Sequence, residues 1–201
     1  MHVELIGVTQ YLKGNHTPEE LVEFAGRICY RSAPRGDAGD FVMKRVKEGH
    51  ESIIEHASVT FLIEGISRAC SHQIVRHRIA SYSQESQRYV DMSDPAFVVP
   101  PAIADNADAL AIWDTFVEQA KVAYQKLREQ GIRKEDSRFL LPNAAATRLV
   151  MTMNFRSLRH FFEVRCKKDA QWEIRDVALE MLRQMHAVAP AVFGDLYERF
   201  L

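Results

Sequence analysis

A chain of 201 residues, 47% apolar and 26% charged, with a formal net charge of −1, has the composition of a globular protein able to bury one substantial core. That balance excludes a general attraction to nucleic acid or anionic lipid, so any cationic patch is local and suits a small anion better than a polyanion. Cys29, Cys70 and Cys166 form no C-x-x-C pair and are read as reduced, mostly buried thiols of a cytoplasmic protein.

The opening MHVELIGVTQYLKG lacks the basic and apolar blocks of a signal peptide. No apolar run reaches the roughly 20 residues needed to cross a bilayer, so neither export nor a membrane is expected. A single domain over residues 1–201 is the expectation.

In chain order, HVELIGVTQ alternates as a strand, and HTPEELVEFAGRICYRS follows as a helix. Thr17 caps it, Pro18 suits its first position and Glu20 completes a capping box. Leu21, Phe24, Ala25 and Ile28 are its expected buried face. APRGDAGD reads as a loop, and FVMKRVKEG as a short helix ended by Gly49. HESIIEH reads as a loop entering the strand ASVTFLIEG, which ends at Gly65. ISRACSHQIVRHRI is the next predicted helix, and AFVVPP a strand cut off by its prolines.

From about Asp105 to Glu129 a helical period runs through Leu110, Trp113, Val117, Ala120, Tyr124 and Leu127, stopped by Gly131. KEDSRFLL is a short helix before Pro142. ATRLVMTMNF is a strand leading into the helix RSLRHFFEVR, with Ser157 a candidate cap. DAQWEIRDVALEMLRQMHAVAP closes the series as a helix capped by Asp169. Strands and helices mix without regular βαβ alternation, which makes α+β with a mostly antiparallel sheet flanked by helices the physical default.

Among motifs, neither G-x-G-x-x-G, a P-loop nor a G-x-S-x-G elbow occurs. HESIIEH lacks the second histidine that either zinc-helix spacing requires, and His50 and His56 do not share a helical face, so no metal is expected. RHRIASYSQESQRY, residues 76–89, is far less ordinary. It carries three arginines and no lysine, and each guanidinium offers a permanently charged planar fork matched to phosphate or carboxylate. A solvated face paired with Glu85 and Asp91 is the alternative, but such faces usually include lysine. A second set lies in NFRSLRHFFEVR, residues 154–165, where Leu158, Phe161 and Phe162 anchor an amphipathic helix with a basic face.

Together these sets resemble a known family. The pattern R-H-R-x-x-S-x(4)-S-x-R, here Arg76, His77, Arg78, Ser81, Ser86 and Arg88, is similar to the signature of the flavin-dependent thymidylate synthases. HESIIEHASVTF, HQIVRHR, SRFLLP, MNFRSLRHFFEVR and AQWEIR extend the resemblance, in order, over most of the chain.

The resemblance implies the fold of that family and a homotetramer with active sites between subunits. It implies methylation of dUMP to dTMP, with methylenetetrahydrofolate as carbon donor and FAD carrying a hydride from NADPH. Flavin-binding positions would be His50, Ser52, Arg76, His77, Arg78, Gln84, Asn154, Phe155, Arg156 and His160. Those for dUMP would be Gln73, Ile74, Val75, Arg76, Gln84, Glu85, Ser86, Gln87, Arg88, Arg138 and Arg165, with Arg165 activating the pyrimidine. Two positions depart from other members: Gln84 stands where several carry a carboxylate, and His160 where some carry asparagine. A nucleic-acid-binding module and a catalytically inactive oligomeric homologue are the alternatives. The first fits poorly with a slightly acidic chain, and the second with the presence of Arg88, Arg165 and the R-H-R set.

Overall fold

A computed structural model describes residues 1–34 and 36–201. Four strands, β1 (His2–Val8), β2 (Ser58–Ser67), β3 (Ser81–Gln84) and β4 (Ala146–Asn154), form one antiparallel sheet in the order β1-β2-β4-β3. The helices are α1 (Pro18–Ile28), α2 (Ala38–Lys47), α3 (Arg68–Ile74), α4 (Pro101–Ala104), α5 (Ala107–Glu129), α6 (Lys134–Ser137), α7 (Phe155–Arg165), α8 (Trp172–Val188) and α9 (Pro190–Phe200). Two 3₁₀ turns, Glu51–His56 and Arg138–Leu140, complete the described elements. The expected α+β class with an antiparallel sheet is what the chain adopts.

Two compact units share these elements. The larger comprises Met1–Ile63, Ile74–Tyr82 and Val150–Leu201, and the smaller Glu64–Gln73 and Ser83–Leu149. In the larger unit α7, α8 and α9 pack together, α1 and α2 join them through α9, and α8 covers β1. Its core is aromatic: Phe155 and Phe162 meet Phe193 edge-on at 5.3 and 5.7 Å between ring centres. In the smaller unit α5 is the backbone of the packing, with Tyr124 fully buried and its hydroxyl accepting from the Met92 N–H.

Several local expectations are met for the stated reasons. Thr17 and Glu20 form the reciprocal capping box at the start of α1, with Pro18 in its first turn. Gly131, at φ +79°, lets the chain turn back after α5, so that the Ile132 N–H reaches the Leu127 carbonyl.

Other expectations are corrected. Phe24 and Ile28 are 43% and 61% exposed, whereas Val22 and Gly26 are buried. The packed face of α1 is therefore shifted by one residue, about 100° around the helix, because the bare Cα of Gly26 admits the Phe41 ring. A Cβ there would stand 2.9 Å from that ring. The predicted loop 33–40 includes position 35, outside the described residues, and its end is helical instead. Asp37 caps α2 by accepting from the Gly39 and Asp40 N–H groups.

HESIIEH is a 3₁₀ turn rather than loop. β2 runs past Gly65, which takes a left-handed φ of +67° within it. AFVVPP forms only the single bridge Phe97–Ala145. The helix begun in ISRACSHQIVRHRI occupies only Arg68–Ile74, so Arg76, His77 and Arg78 stand on a turn beyond it. Caps also shift: Asn106 heads α5, Asn154 rather than Ser157 heads α7, and Gln171 rather than Asp169 heads α8. Pro190 opens a further helix, α9, which the periodicity reading left out.

Candidate active site

Where α3 ends, the chain makes a turn that presents Arg76, His77 and Arg78 along one wall of a cavity of about 920 Å³. The other wall comes from the junction of β4 and α7 and from the length of α7: Asn154, Arg156, His160 and Arg165. All of these residues belong to the larger unit. Two segments about seventy-six positions apart in sequence are thus brought to one cavity. Its volume is at the upper end of the roughly 300–1,000 Å³ usual for small-molecule and cofactor sites.

The turn is held by its own backbone. His77 N–H donates to the Ile74 carbonyl, and the Tyr82 hydroxyl lies 2.7 and 2.9 Å from the carbonyls of His77 and Ile74. Burial pushes the Tyr82 phenol up to about 12, so it remains a donor. At the start of α7 the side-chain oxygen of Asn154 accepts from the Ser157 N–H, which fixes the asparagine as a cap. Phe155 is fully buried with its ring in the Phe193 cluster, and its N–H donates to the Ala57 carbonyl.

Charge in the cavity is mixed but weighted toward cations. Five arginines, the four above and Arg159 after counting Arg76, Arg78, Arg156 and Arg165, face three carboxylates, Glu51, Glu55 and Glu163. Arg156 pairs with Glu55, and its Nε lies 3.7 Å from Glu51. Arg159 makes a fork on Asp195, two bonds of 2.7 Å, and also donates to the Val192 carbonyl. Its Nε is buried without a hydrogen-bond partner, the Glu51 carboxylate being 3.6 Å away.

The His77 imidazole is perturbed by its surroundings. Burial first, then the charge of Arg165 and of His160, push it down to about 4. Its Nε2 receives a hydrogen bond of 3.0 Å from the Arg165 Nε.

His50 and Ser52 lie on a second cavity of about 300 Å³, together with Cys29, Tyr30 and Arg45. Glu51 and Arg156 line both cavities.

The smaller unit holds another set. Arg88 donates to Glu135 at 2.6 Å, and the Arg138 Nε donates to the Glu135 carbonyl at 3.1 Å. The Glu85 carboxylate takes the Arg148 Nε at 3.2 Å. The Gln84 amide nitrogen donates to the hydroxyls of Ser71 and Thr147, at 3.0 and 3.2 Å. Gln87 is 6% exposed and its amide nitrogen has no hydrogen-bond partner. Gln73 and Ser86 belong to this unit, while Ile74, fully buried, and Val75 belong to the larger one.

Sequence reasoning passed over Arg159, Glu51, Glu55 and Glu163, and also Arg68. The Arg68 guanidinium is driven below its usual range by burial and then by the like charge of Arg138. A basic residue inside the aromatic run of α7 was the available signal for Arg159. For Arg68 the sequence offers none, because its neighbour Arg138 is seventy positions away.

A buried guanidinium nitrogen without an acceptor, five arginines and a large cavity fit a flavin dinucleotide, whose diphosphate and ring carbonyls are acceptors. Among the described residues, no group of three or more histidine, cysteine or carboxylate side chains is placed to hold a metal ion. No described helix is long and apolar enough to cross a membrane.

The sequence profile of the family described as thymidylate synthase complementing protein matches residues 9–191. A flavin-dependent thymidylate synthase of Geobacter sulfurreducens is 47% identical over 193 residues, covering 90% of this chain and 83% of that protein. One of Nitratidesulfovibrio vulgaris is 48% identical, covering 89% and 83% respectively. One of Mycobacterium tuberculosis is 40% identical over 225 residues, covering 97% and 89%.

Proposed function

The chain belongs to the flavin-dependent thymidylate synthase family, and from that premise we propose that it makes dTMP by reductive methylation of dUMP. Methylenetetrahydrofolate is the carbon donor, NADPH the reductant, and tetrahydrofolate the folate product. The observation that supports this most is the convergence of the Arg76–Arg78 turn and α7 on one cation-lined cavity.

In this reading the cavity holds FAD. Arg76, Arg78, Arg156 and the Nε of Arg159 serve its diphosphate and ring oxygens, and Asn154, Phe155 and His160 complete the wall. His50 and Ser52 serve the same cofactor from the adjoining cavity, across Arg156. When bound, FAD carries the hydride that completes the methyl group.

Gln73 to Arg76, Gln84 to Arg88 and Arg138 hold dUMP. Arg88 and Arg138 share the Glu135 region and are suited to a phosphate, with which a fork of donors pairs well. The Gln87 amide nitrogen gains the acceptor it lacks. For Gln84 the geometry is more specific. The Ser71 hydroxyl proton is spent on the Arg68 carbonyl, so that hydroxyl accepts from Gln84 and fixes which end of the amide faces it. The Gln84 oxygen is then the end presented to a ligand, and it accepts as a carboxylate would.

Arg165 carries the activation step. A guanidinium does not surrender its proton, but it stabilises negative charge as uracil N3 ionises, which enriches C5, the carbon to be methylated. The reading includes a homotetramer with active sites completed between subunits, a single family domain over residues 1–201, and a cytoplasmic location.

Purified protein supplied with FAD, dUMP, methylenetetrahydrofolate and NADPH is expected to form dTMP and tetrahydrofolate in equal amounts. Absence of dTMP, or dihydrofolate as the product, sinks the proposal. Arg165→Ala is expected to retain FAD while dTMP formation falls by about 10²-fold or more, the scale for losing one donor that stabilises developing charge. Sedimentation of the FAD-loaded protein checks the tetramer.

A further inference from the structure

We propose that His77 is the positioning residue of Arg165: a neutral imidazole whose Nε2 lone pair accepts from the guanidinium Nε and fixes its plane. This deepens the reading of Arg165 as the activating group and rests on it.

Chemistry first settles the tautomer. An arginine Nε carries a proton at every working pH and can only donate. At 3.0 Å from it, the His77 Nε2 must therefore be the unprotonated nitrogen. The single imidazole proton sits on Nδ1, and the ring is neutral.

Ring and backbone are both held. The Phe161 ring meets His77 edge-on at 4.8 Å between centres, and His160 meets it at 6.1 Å. Behind the ring, Tyr82 and the Ile74 carbonyl tie down the turn. A long arginine side chain loses up to about 2 kcal/mol of rotamer freedom when ordered. An acceptor already fixed at Nε removes part of that loss from the reacting state. Because the guanidinium is planar, holding Nε directs both terminal nitrogens as well.

Surrounding charge keeps the acceptor available. Arg165 and His160 on α7 approach the ring, Arg76 and Arg78 flank it in its own turn, and Glu51, Glu55 and Glu163 line the same cavity. Burial first, then the Arg165 charge and the nearness of His160, hold His77 at about 4. Protonation would set two N–H donors and two positive charges against each other, and the contact would open.

Nitrogen-15 NMR of the intact, FAD-loaded protein tests this without turnover. The expected result is a His77 signal of the Nδ1–H tautomer that does not titrate between pH 8 and about 5. In Arg165→Met the His77 titration is expected to move upward by about one unit or more as the cation disappears. An Nε2–H tautomer, or a titration near 6.5 that Arg165→Met leaves in place, overturns the proposal.

A kinetic pair supplies the second arm, read at saturating FAD. His77→Gln keeps an acceptor oxygen whereas His77→Phe keeps a ring without one, so kcat is expected to be about tenfold or more lower in His77→Phe than in His77→Gln. Equal losses in both would overturn it. The tautomer is read in the absence of dUMP and folate, so it stands or falls separately from dTMP formation.

Discussion

The amide of Gln84 is oriented by a proton on the preceding element, α3. Ser71 donates to the Arg68 carbonyl, hence accepts from Gln84, and Thr147 supplies a second acceptor. In Gln84→Glu an ionised carboxylate has no proton to give Ser71. That variant is expected to lose about 1 kcal/mol of stability at pH 7, the size of one side-chain hydrogen bond. It should regain part of this on acidification, as the carboxyl protonates and becomes a donor. Urea unfolding at pH 7 and pH 5 measures both. A loss that grows at pH 5 would contradict the orientation. Arginines 76, 78, 88 and 165 were legible as candidates because they sit in dense local motifs. What stayed hidden was which partner each side chain takes: the Arg165–His77 contact spans 88 positions and Arg156–Glu55 spans 101. No local pattern carries information over such separations.

Among the elements, α7 is joined to α9 by a charged clasp as well as by the Phe193 aromatic cluster. Arg159, with a side chain only 7% exposed, forks onto Asp195, which is 49% exposed. Asp195→Ala would leave a buried guanidinium without its carboxylate. The expected cost is about 1–3 kcal/mol, below the range for a fully buried pair because water reaches Asp195. Arg159→Met, which removes the charge and keeps the length, is expected to cost less. Urea midpoints of the two variants test the order, and the reverse order would contradict it. α9 itself was missed in the sequence, although Pro190 at its start is a helix-opening signal. The preceding helix runs to Val188 with only Ala189 between, so the period of one helix flows into the next. Strand and helix types were otherwise readable from alternation and caps. Buried faces were not: Gly26 carries no hydrophobic signal, yet it accepts the Phe41 ring.

For the whole molecule, acid acts through His77 and Asp195 in the same direction, joined by Glu20 and Asp91, which are held low, and opposed by Glu19, which burial raises. His77 is depressed to about 4 from 6.5, so the unfolded chain binds its proton first as pH falls. Its stabilising contribution is complete above about 6.5 and is lost progressively toward 4. Burial would raise the Asp195 carboxyl, but the hydrogen bond and charge of Arg159 outweigh it and hold the group low. That contribution is lost only below the usual carboxylate range. Melting temperature is therefore expected to decline between pH 6.5 and 4.5, and the decline should be shallower in His77→Gln. A pH profile identical in wild type and variant would contradict it.

The division of the chain into two units also sets an order in time. Every residue of the smaller unit has left the ribosome once Leu149 has emerged, whereas the larger unit still lacks Val150–Leu201. The wall built from Asn154 to Arg165 belongs to that last part. Chains stalled before β4 ends thus lack a complete cavity, and α2 in the first third of the protein still waits for α9 in its final quarter. On the proposed placing of FAD, cofactor uptake is for that reason a late event in the life of each new chain, and the early segments depend on non-local closure, the slow kind, before they are of use.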